Sequence, residues 1–357
     1  MEELTQAGAA AIFDLEFKDL EAILAQWGEP KYRARQIWQG LYQNLWNRPE
    51  EFSSLPNSLR QKLDQNFRFT ILEPALALNS LDGETRKTLF SLPDHRSIEA
   101  VLMRYSKRRT LCISTQAGCG MGCVFCATGQ MGFQRNLTSG EIVEQVLFYA
   151  RELKVIGEQV TNVVIMGMGE PFHNYDATMQ AIDRLNDPQG FNFGARRFTI
   201  STVGLVPAIR RFAREGRQVN LAISLHAADD ELRSSLLPIN RKYPITELLQ
   251  ACHEYVQATH RRITFEWALI QGVTDTMDQA GKLIRLLQIF RRGNSILCHV
   301  NVIRLNPTRQ YSGQATTHQQ ALLFQEELEK NGIPCTVRIR RGIDIQAGCG
   351  QLATQVH

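Results

Sequence analysis

Three cysteines, Cys119, Cys123 and Cys126, stand at C-x3-C-x2-C spacing in the run L-C-I-S-T-Q-A-G-C-G-M-G-C-V-F-C, residues 111–126. Glycines interleave them, so the backbone can turn tightly, and clustered thiols on such a loop point to a metal. A fourth thiol, Cys112, lies in the same run, seven residues before Cys119. Structural zinc takes a closed set of four ligands, built from paired C-x2–4-C units. Here no second pair matches the first. An iron–sulfur cube held by three thiolates would instead leave one iron open to a substrate. Free, clustered, exposed thiols would be a chemical liability. The remaining cysteines, Cys252, Cys298, Cys335 and Cys349, are scattered.

Such a loop needs a scaffold to aim it. From residue 110 onward, apolar strands alternate with amphipathic helices. Strands are expected at 110–114, 162–166, 197–202, 219–225, 263–270 and 297–305. Helices are expected at 139–154, 176–185, 206–215, 245–259, 278–290 and 318–330, with a last extended piece at 334–339. Six strand–helix units predict a parallel sheet covered by helices, as an open doubly wound sheet or an incomplete β/α barrel. Ahead of them, residues 14–67 read as a small helical domain, 75–92 as a hairpin turning at Asp82-Gly83, and 97–105 as one more strand.

In either α/β architecture the active site lies at the C-terminal ends of the strands. The first strand ends in the cysteine loop, and the second in Gly167-Met168-Gly169-Glu170-Pro171. The third ends in Ser201-Thr202-Val203-Gly204, the fourth in Ser224-Leu225-His226, and the sixth in Arg304-Leu305-Asn306-Pro307. Gly169 offers a backbone donor, and the Glu170 carboxylate suits a ligand ammonium. Ser201, Ser224, His226 and Asn306 could hold a ligand's hydroxyls and carboxylate. Taken singly, each also reads as an ordinary structural hydrogen bond.

The 357 residues carry a net charge of +4 and are 43% hydrophobic. No apolar run approaches the ~20 residues a bilayer requires. The start, M-E-E-L-T-Q, lacks the basic and apolar segments of a signal peptide. A cytoplasmic protein with reduced thiols and no membrane is expected. Of the 40 basic residues, 31 are arginine. Many are grouped, as at Arg108-Arg109, Arg196-Arg197, Arg210-Arg211, Arg261-Arg262 and Arg340-Arg341. Any one group reads as a solvated face, but their recurrence makes nucleic acid a live partner.

The cysteine spacing, with Phe125 before the last thiol, resembles the radical S-adenosylmethionine (SAM) superfamily. Longer runs narrow this. G-C-G-M-G-C-V-F-C-A-T-G-Q-M-G-F-Q-R-N-L, V-V-I-M-G-M-G-E-P, F-T-I-S-T-V-G, I-S-L-H-A-A-D-D-E-L-R, P-I-N-R-K-Y-P and G-I-D-I-Q-A-G-C-G-Q-L resemble the RlmN/Cfr family of radical SAM RNA methyltransferases. The match runs in order from about residue 95 to about 355. The resemblance implies a partial (β/α)6 barrel with a small helical N-terminal domain and a short β extension. It implies an RNA-docking domain at 1–70, an extension at 71–104, the core at 105–344 and a C-terminal loop at 345–357.

It also implies chemistry. Cys119, Cys123 and Cys126 would hold a [4Fe-4S] cluster, and Gly169, Glu170, Ser201, Ser224, Leu225, His226 and Asn306 would bind SAM. Cys349 would carry a methyl from one SAM, and a radical from a second would activate it. Cys112 would resolve the RNA–protein adduct through a transient disulfide with Cys349, and Glu99 would accept a proton. Read bare, Cys349 is a thiol in a flexible loop, Cys112 a strand cysteine, and Glu99 a surface salt-bridge partner. The implied substrates are an adenosine in 23S rRNA at the peptidyl-transferase centre and an anticodon-adjacent adenosine in some tRNAs. A reductant such as flavodoxin and a monomeric state complete the expectation. Pro171 and the C-A-T-G-Q run resemble the branch that methylates adenine C2; the alternative is C8 methylation. Arg304 departs from the pattern, standing where many such members have proline. A zinc-stabilised RNA-binding protein is the non-enzyme alternative.

Overall fold

The computed structural model describes residues 10–293 and 295–354. Three helices open it: α1 Phe17–Gln26, α2 Tyr32–Gln39 and α3 Asn57–Asn66. Each buries one apolar stripe, including Leu20 and Leu24, Ile37 and Trp38, and Leu59 and Leu63, because residues three and four apart share a helix face.

A meander follows, with β1 Glu73–Asn79, β2 Thr85–Ser91 and β3 Ser97–Arg104 paired antiparallel. Then come β4 Arg109–Cys112, β5 Asn162–Ile165, β6 Phe198–Thr202, β7 Asn220–Ser224, β8 Ile263–Leu269, β9 Cys298–Arg304 and β10 Cys335–Val337. From β4 to β10 every pair is parallel. The crossovers carry α4 Ser139–Val155, α5 Tyr175–Asn186, α6 Val206–Glu215, α7 Ile245–Thr259, α8 Met277–Leu287 and α9 His318–Lys330. Thr138 caps α4, accepting from the Glu141 amide at 3.1 Å while the Glu141 side chain returns the contact.

All ten strands join one sheet in chain order. A doubly wound sheet would need that order to reverse, so the barrel alternative holds. Residues from β4, β6, β7, β8 and β9 line one central cavity, which shows the sheet curling around a lumen. The curl does not close, since β1 and β10 each have one neighbour. Along β6, buried Phe198, Ile200 and Thr202 alternate with half-buried Thr199 and Ser201, and the half-buried pair faces the lumen.

The helical unit is fastened to the barrel by polar contacts. Asp14 accepts from the Gly140 amide at 2.7 Å, Trp38 donates to Asp187 at 2.7 Å, and the Arg184 guanidinium donates to the Phe13 carbonyl. No helix among the described residues is long and apolar enough to cross a membrane.

Several arginine groups are tied to carboxylates. Arg104 and Arg109 share Glu158, and Arg210, Arg211 and Arg217 each meet an acidic partner. For these groups the solvated-face reading is the right one.

Candidate active site

The cysteine loop crosses the C-terminal mouth of the barrel. Gly118 has φ +70°, and a Cβ there would stand 2.0 Å from the Gly132 carbonyl oxygen, so only glycine fits. The Cys119 amide donates to that same oxygen at 2.9 Å. Cys123 packs into a small apolar cluster of its own with Ala227, Leu236, Leu237, Ile270 and Leu305. The Val124 amide donates to Leu236 at 3.0 Å, and Phe125 sets its ring edge-on to His226 with centroids 5.1 Å apart. A short helix, Ala127–Gln130, leads the chain away.

Burial pushes the Cys119 thiol up to about 12 and Cys123 well above the ordinary thiol value. Negative charge at Cys119 and Cys126 raises Cys123 further. Three thiols that repel one another as thiolates, in a buried site, fit a cationic iron–sulfur cluster that would neutralise them. Among the described residues no three His, Cys, Asp or Glu side chains converge as they would on a single metal ion.

Cys123, Cys126, Gly169, Glu170, Ser201, Ser224, His226 and Asn306 line one cavity together with Cys112 and Cys349. Cys119 stands outside that lining, buried behind it. Leu225 also stands outside: its amide donates to the Glu266 carbonyl and its own carbonyl accepts from Arg233, both at 3.1 Å.

Gly169 has φ +100°, and a Cβ there would clash with Gln116 at 2.6 Å. The Gln116 side chain in turn accepts the Glu170 amide at 2.8 Å. Glu170 accepts from the Phe172 and Val203 amides at 3.0 and 2.9 Å, one on each oxygen. Burial outweighs these bonds and pushes its carboxyl up to about 7. The Thr202 side chain is a third hydrogen-bond partner, so three of the four lone pairs are engaged and one remains for a ligand.

His226 accepts the Ala268 amide on Nδ1 at 3.0 Å. Burial and the nearby Arg233 push it down to about 3, so it is neutral and leaves Nε2–H as a donor. It holds φ +59°, a conformation uncommon outside glycine and typical of functional sites. Ser201 and Ser224 place their hydroxyl oxygens 3.4 Å apart. Asn306 donates to the Cys349 carbonyl at 3.0 Å, while its buried Oδ1 has no protein partner. An orphaned buried acceptor is what a ligand donor would satisfy.

Cys349 is reached by solvent, yet protein surrounds it, and burial pushes its thiol up to about 11. Cys112 ends β4 and is pushed up to about 12, by burial first and by the charge of Cys349 second. Arg338 pulls both thiols back down.

Glu99 corrects the bare reading of a surface residue. It is 1% exposed and pairs with Lys87 at 3.0 Å. Through the strand pairing it shares a sheet face with Cys112, since Val101 pairs with Cys112.

Sequence reasoning missed Arg233, which is fully buried and donates to the carbonyls of Val203, Ser224 and Leu225. It also missed the lumen pair Glu266–Arg338, 3.3 Å apart, with Asn301 donating to Glu266 at 3.0 Å. A charge inside the apolar run I-T-F-E-W-A-L was the available signal.

Comparison with known proteins bears directly on this geometry. The Radical SAM superfamily model matches residues 113–287, which span the loop and the barrel through α8. The ribosomal RNA large subunit methyltransferase N-terminal domain model matches residues 10–69. A "probable dual-specificity RNA methyltransferase RlmN" from Chloroflexus aurantiacus is 49% identical, covering 96% of this chain and 92% of the relative. The chain belongs to the RlmN family of radical SAM RNA methyltransferases. Dual-specificity RNA methyltransferase RlmN 1 from Myxococcus xanthus is 48% identical over 98% of this chain and 95% of its own. A crystal structure of a radical SAM methyltransferase from Sphaerobacter thermophilus superposes with a TM-score of 0.93 at 50% identity, covering 97% of this chain and 100% of that one. RlmN membership settles the fold as the radical SAM barrel and the chemistry as SAM-dependent methyl transfer to RNA.

Proposed function

We propose that this RlmN-family chain methylates C2 of an adenosine in 23S rRNA at the peptidyl-transferase centre, and of an anticodon-adjacent adenosine in some tRNAs. The methyl would travel on Cys349, with two SAM molecules used per turnover. The observation that carries this reading is the shared cavity: Cys349 and Cys112 open onto the same space as Cys123, Cys126 and the strand-end motifs.

In this reading Cys119, Cys123 and Cys126 hold a [4Fe-4S] cluster. Gly169, Glu170, Ser201, Ser224, His226 and Asn306 hold SAM, with Leu225 serving as their backbone support. When bound, the cluster and SAM supply a 5′-deoxyadenosyl radical, which can activate an otherwise inert methyl group. Neutral His226 acts as a hydrogen-bond donor and not as a base. Glu170 offers its remaining lone pair to the ligand ammonium.

The indirect route has a physical reason. The amidine carbon of adenine is electrophilic and cannot attack a sulfonium methyl as a nucleophile would. Carbon delivered from Cys349 leaves a thioether between protein and RNA. Cys112 then captures the Cys349 sulfur as a disulfide while the sulfur–methylene bond breaks, the sulfur pair takes up the odd electron of the adduct, and Glu99 accepts the proton lost from the adduct. A reductant of the flavodoxin type would restore the thiols. The target base must leave its stack to enter the lumen. The helical unit 1–70 would dock RNA, the extension 71–104 would carry Glu99, the core 105–344 would hold cluster and SAM, and 345–357 would carry Cys349. One chain supplies every residue named, so the proposed active form is a cytoplasmic monomer.

The deciding experiment is methylation of an rRNA fragment whose adenosines carry deuterium at C8, using reconstituted protein and mass spectrometry. Methyl gain with the deuterium retained is expected. Methyl gain with its loss would assign the C8 branch instead. Stoichiometric zinc without iron in anaerobically purified protein would overturn the whole reading.

A further inference from the structure

Glu99 does not line the cavity in which it would act. Its Oε1 meets Lys87 Nζ at 3.0 Å, and its Oε2 accepts the Ala353 amide at 3.0 Å. Lys87 Nζ in turn donates to the Gln346 carbonyl at 3.3 Å. Gln346 and Ala353 flank Cys349 on its two sides. One ion pair therefore holds both ends of the segment that carries the reactive thiol.

The placement follows from the meander. Lys87 lies on β2 and Glu99 on β3, where Leu89 pairs with Glu99. Lys87 is thus the diagonal neighbour of Glu99 on one sheet face, within reach for a long side chain. Both side chains are at most 8% exposed. As a stabilising device this is a poor choice, since apolar side chains of similar volume serve a sheet as well as a buried ion pair does. What the pair adds is two polar contacts to the Cys349 segment. Neighbouring contacts act in the same sense: Leu81 donates to Asp344 at 2.8 Å, and Arg341 meets Glu84 at 2.7 Å.

We propose that Lys87 is a positioning residue for the Cys349 loop, and that the Lys87–Glu99 pair makes release of that loop and uncovering of the Glu99 carboxylate a single event. While the loop is seated, Ala353 occupies Glu99, so the proton acceptor is masked as Cys349 takes its methyl. When the loop lifts, both flanks come free together and the carboxylate opens toward the lumen. The proposal rests on the roles given above to Cys349 and Glu99.

The test uses full-length, cluster-reconstituted protein with SAM. Hydrogen–deuterium exchange is followed for the peptide 343–353 and for α7 as a reference. Methyl on Cys349 and methyl on RNA are read separately by mass spectrometry. K87M should raise exchange across 346–353 by about tenfold or more, with α7 unchanged. It should also lower RNA methylation. K87R should restore both toward wild type. Because K87M strands a buried carboxylate, it will also be less stable. The double variant K87M/E99M removes that stranded charge and should recover thermal stability while its loop still exchanges fast. A stable double variant with wild-type exchange at 346–353 would overturn the fastening role. So would an arginine variant that fails to restore loop protection. If wild-type Cys349 never gains a methyl, the role of Cys349 fails instead, on a different readout.

Discussion

Two loops in this molecule carry thiols to the same cavity, and their fastenings differ in balance, although the second also buries Leu352 in the main core. The cysteine loop sits on a small apolar cluster built from Leu236, Leu237, Ile270 and Leu305. The Cys349 segment is held by hydrogen bonds that cross the molecule. Ala127 donates to Gly350 at 2.7 Å, Thr128 to Leu352 at 2.6 Å, and Asn306 to Cys349 at 3.0 Å. Apolar burial is non-directional and makes a permanent seat. Hydrogen bonds exchangeable with water have small net worth and can be broken and remade. On the proposed reading the first loop bears a cluster and must stay in place, whereas the Cys349 thiol gives and receives a carbon and must move.

The comparison breaks most sharply at the cysteines themselves. Cys349→Ala should lower RNA methylation by roughly 1000-fold or more while iron content stays at wild type. Cys123→Ser should lose both if, as proposed, it removes a cluster ligand. Iron and sulfide assays beside a labelled-methyl transfer assay separate the two outcomes. If Cys349→Ala also lost its iron, the two loops would not be independent.

The seats come next. Leu236→Ala should cost about 2–4 kcal/mol of global stability, read as a lower midpoint in denaturant, because it opens a cavity beneath a packed loop. A site outside both loops provides a reference. Burial pushes the Glu144 carboxyl up to about 7 from its ordinary 4.5, while it accepts the Ile71 amide at 2.9 Å. The folded protein thus keeps a proton that the unfolded chain releases between those values. Stability should fall as pH rises through that window, by an amount of the order of 3 kcal/mol at most. Glu144→Gln should flatten the fall, and an unchanged profile in urea titrations at several pH values would remove Glu144 as its source. The smallest effect is expected at Asn306→Ala, which removes one bond to the Cys349 carbonyl. About 1 kcal/mol of local protection should vanish from the Cys349 segment alone, visible in amide exchange and not in the global midpoint.

The same contrast explains what could be read before folding. The strand–helix alternation was legible because a parallel barrel imposes apolar runs and amphipathic helices on local sequence. The cysteine loop was legible because its ligands lie within one short run. Lys87 was invisible, since its partners Glu99, Gln346 and the chain around Cys349 leave no local pattern at residue 87. Arg233 left no signal in the sequence, since its carbonyl partners at Val203, Ser224 and Leu225 come together only in the fold. The bare reading of Glu99 as a surface salt-bridge residue missed its burial, because alternation along β3 is masked where both faces are covered: Ile98 through Leu102 are all buried. Leu225, expected among the SAM-binding residues, stands just past the end of β7 with its amide bonded to the Glu266 carbonyl and its carbonyl to Arg233.

The strict chain order of the ten strands has a consequence for biogenesis. Each strand finds its neighbour already in place, so the sheet can lengthen from one edge as the polypeptide emerges, with no strand waiting for a distant later one. The reactive centre cannot keep that schedule. On the proposed reading Cys112, the cluster ligands and Glu99 are all present early, but Cys349 follows β10, the last strand of the sheet. If Cys349 is the carrier thiol proposed above, a product stalled after β10 would carry an apparently finished barrel and be inert toward RNA.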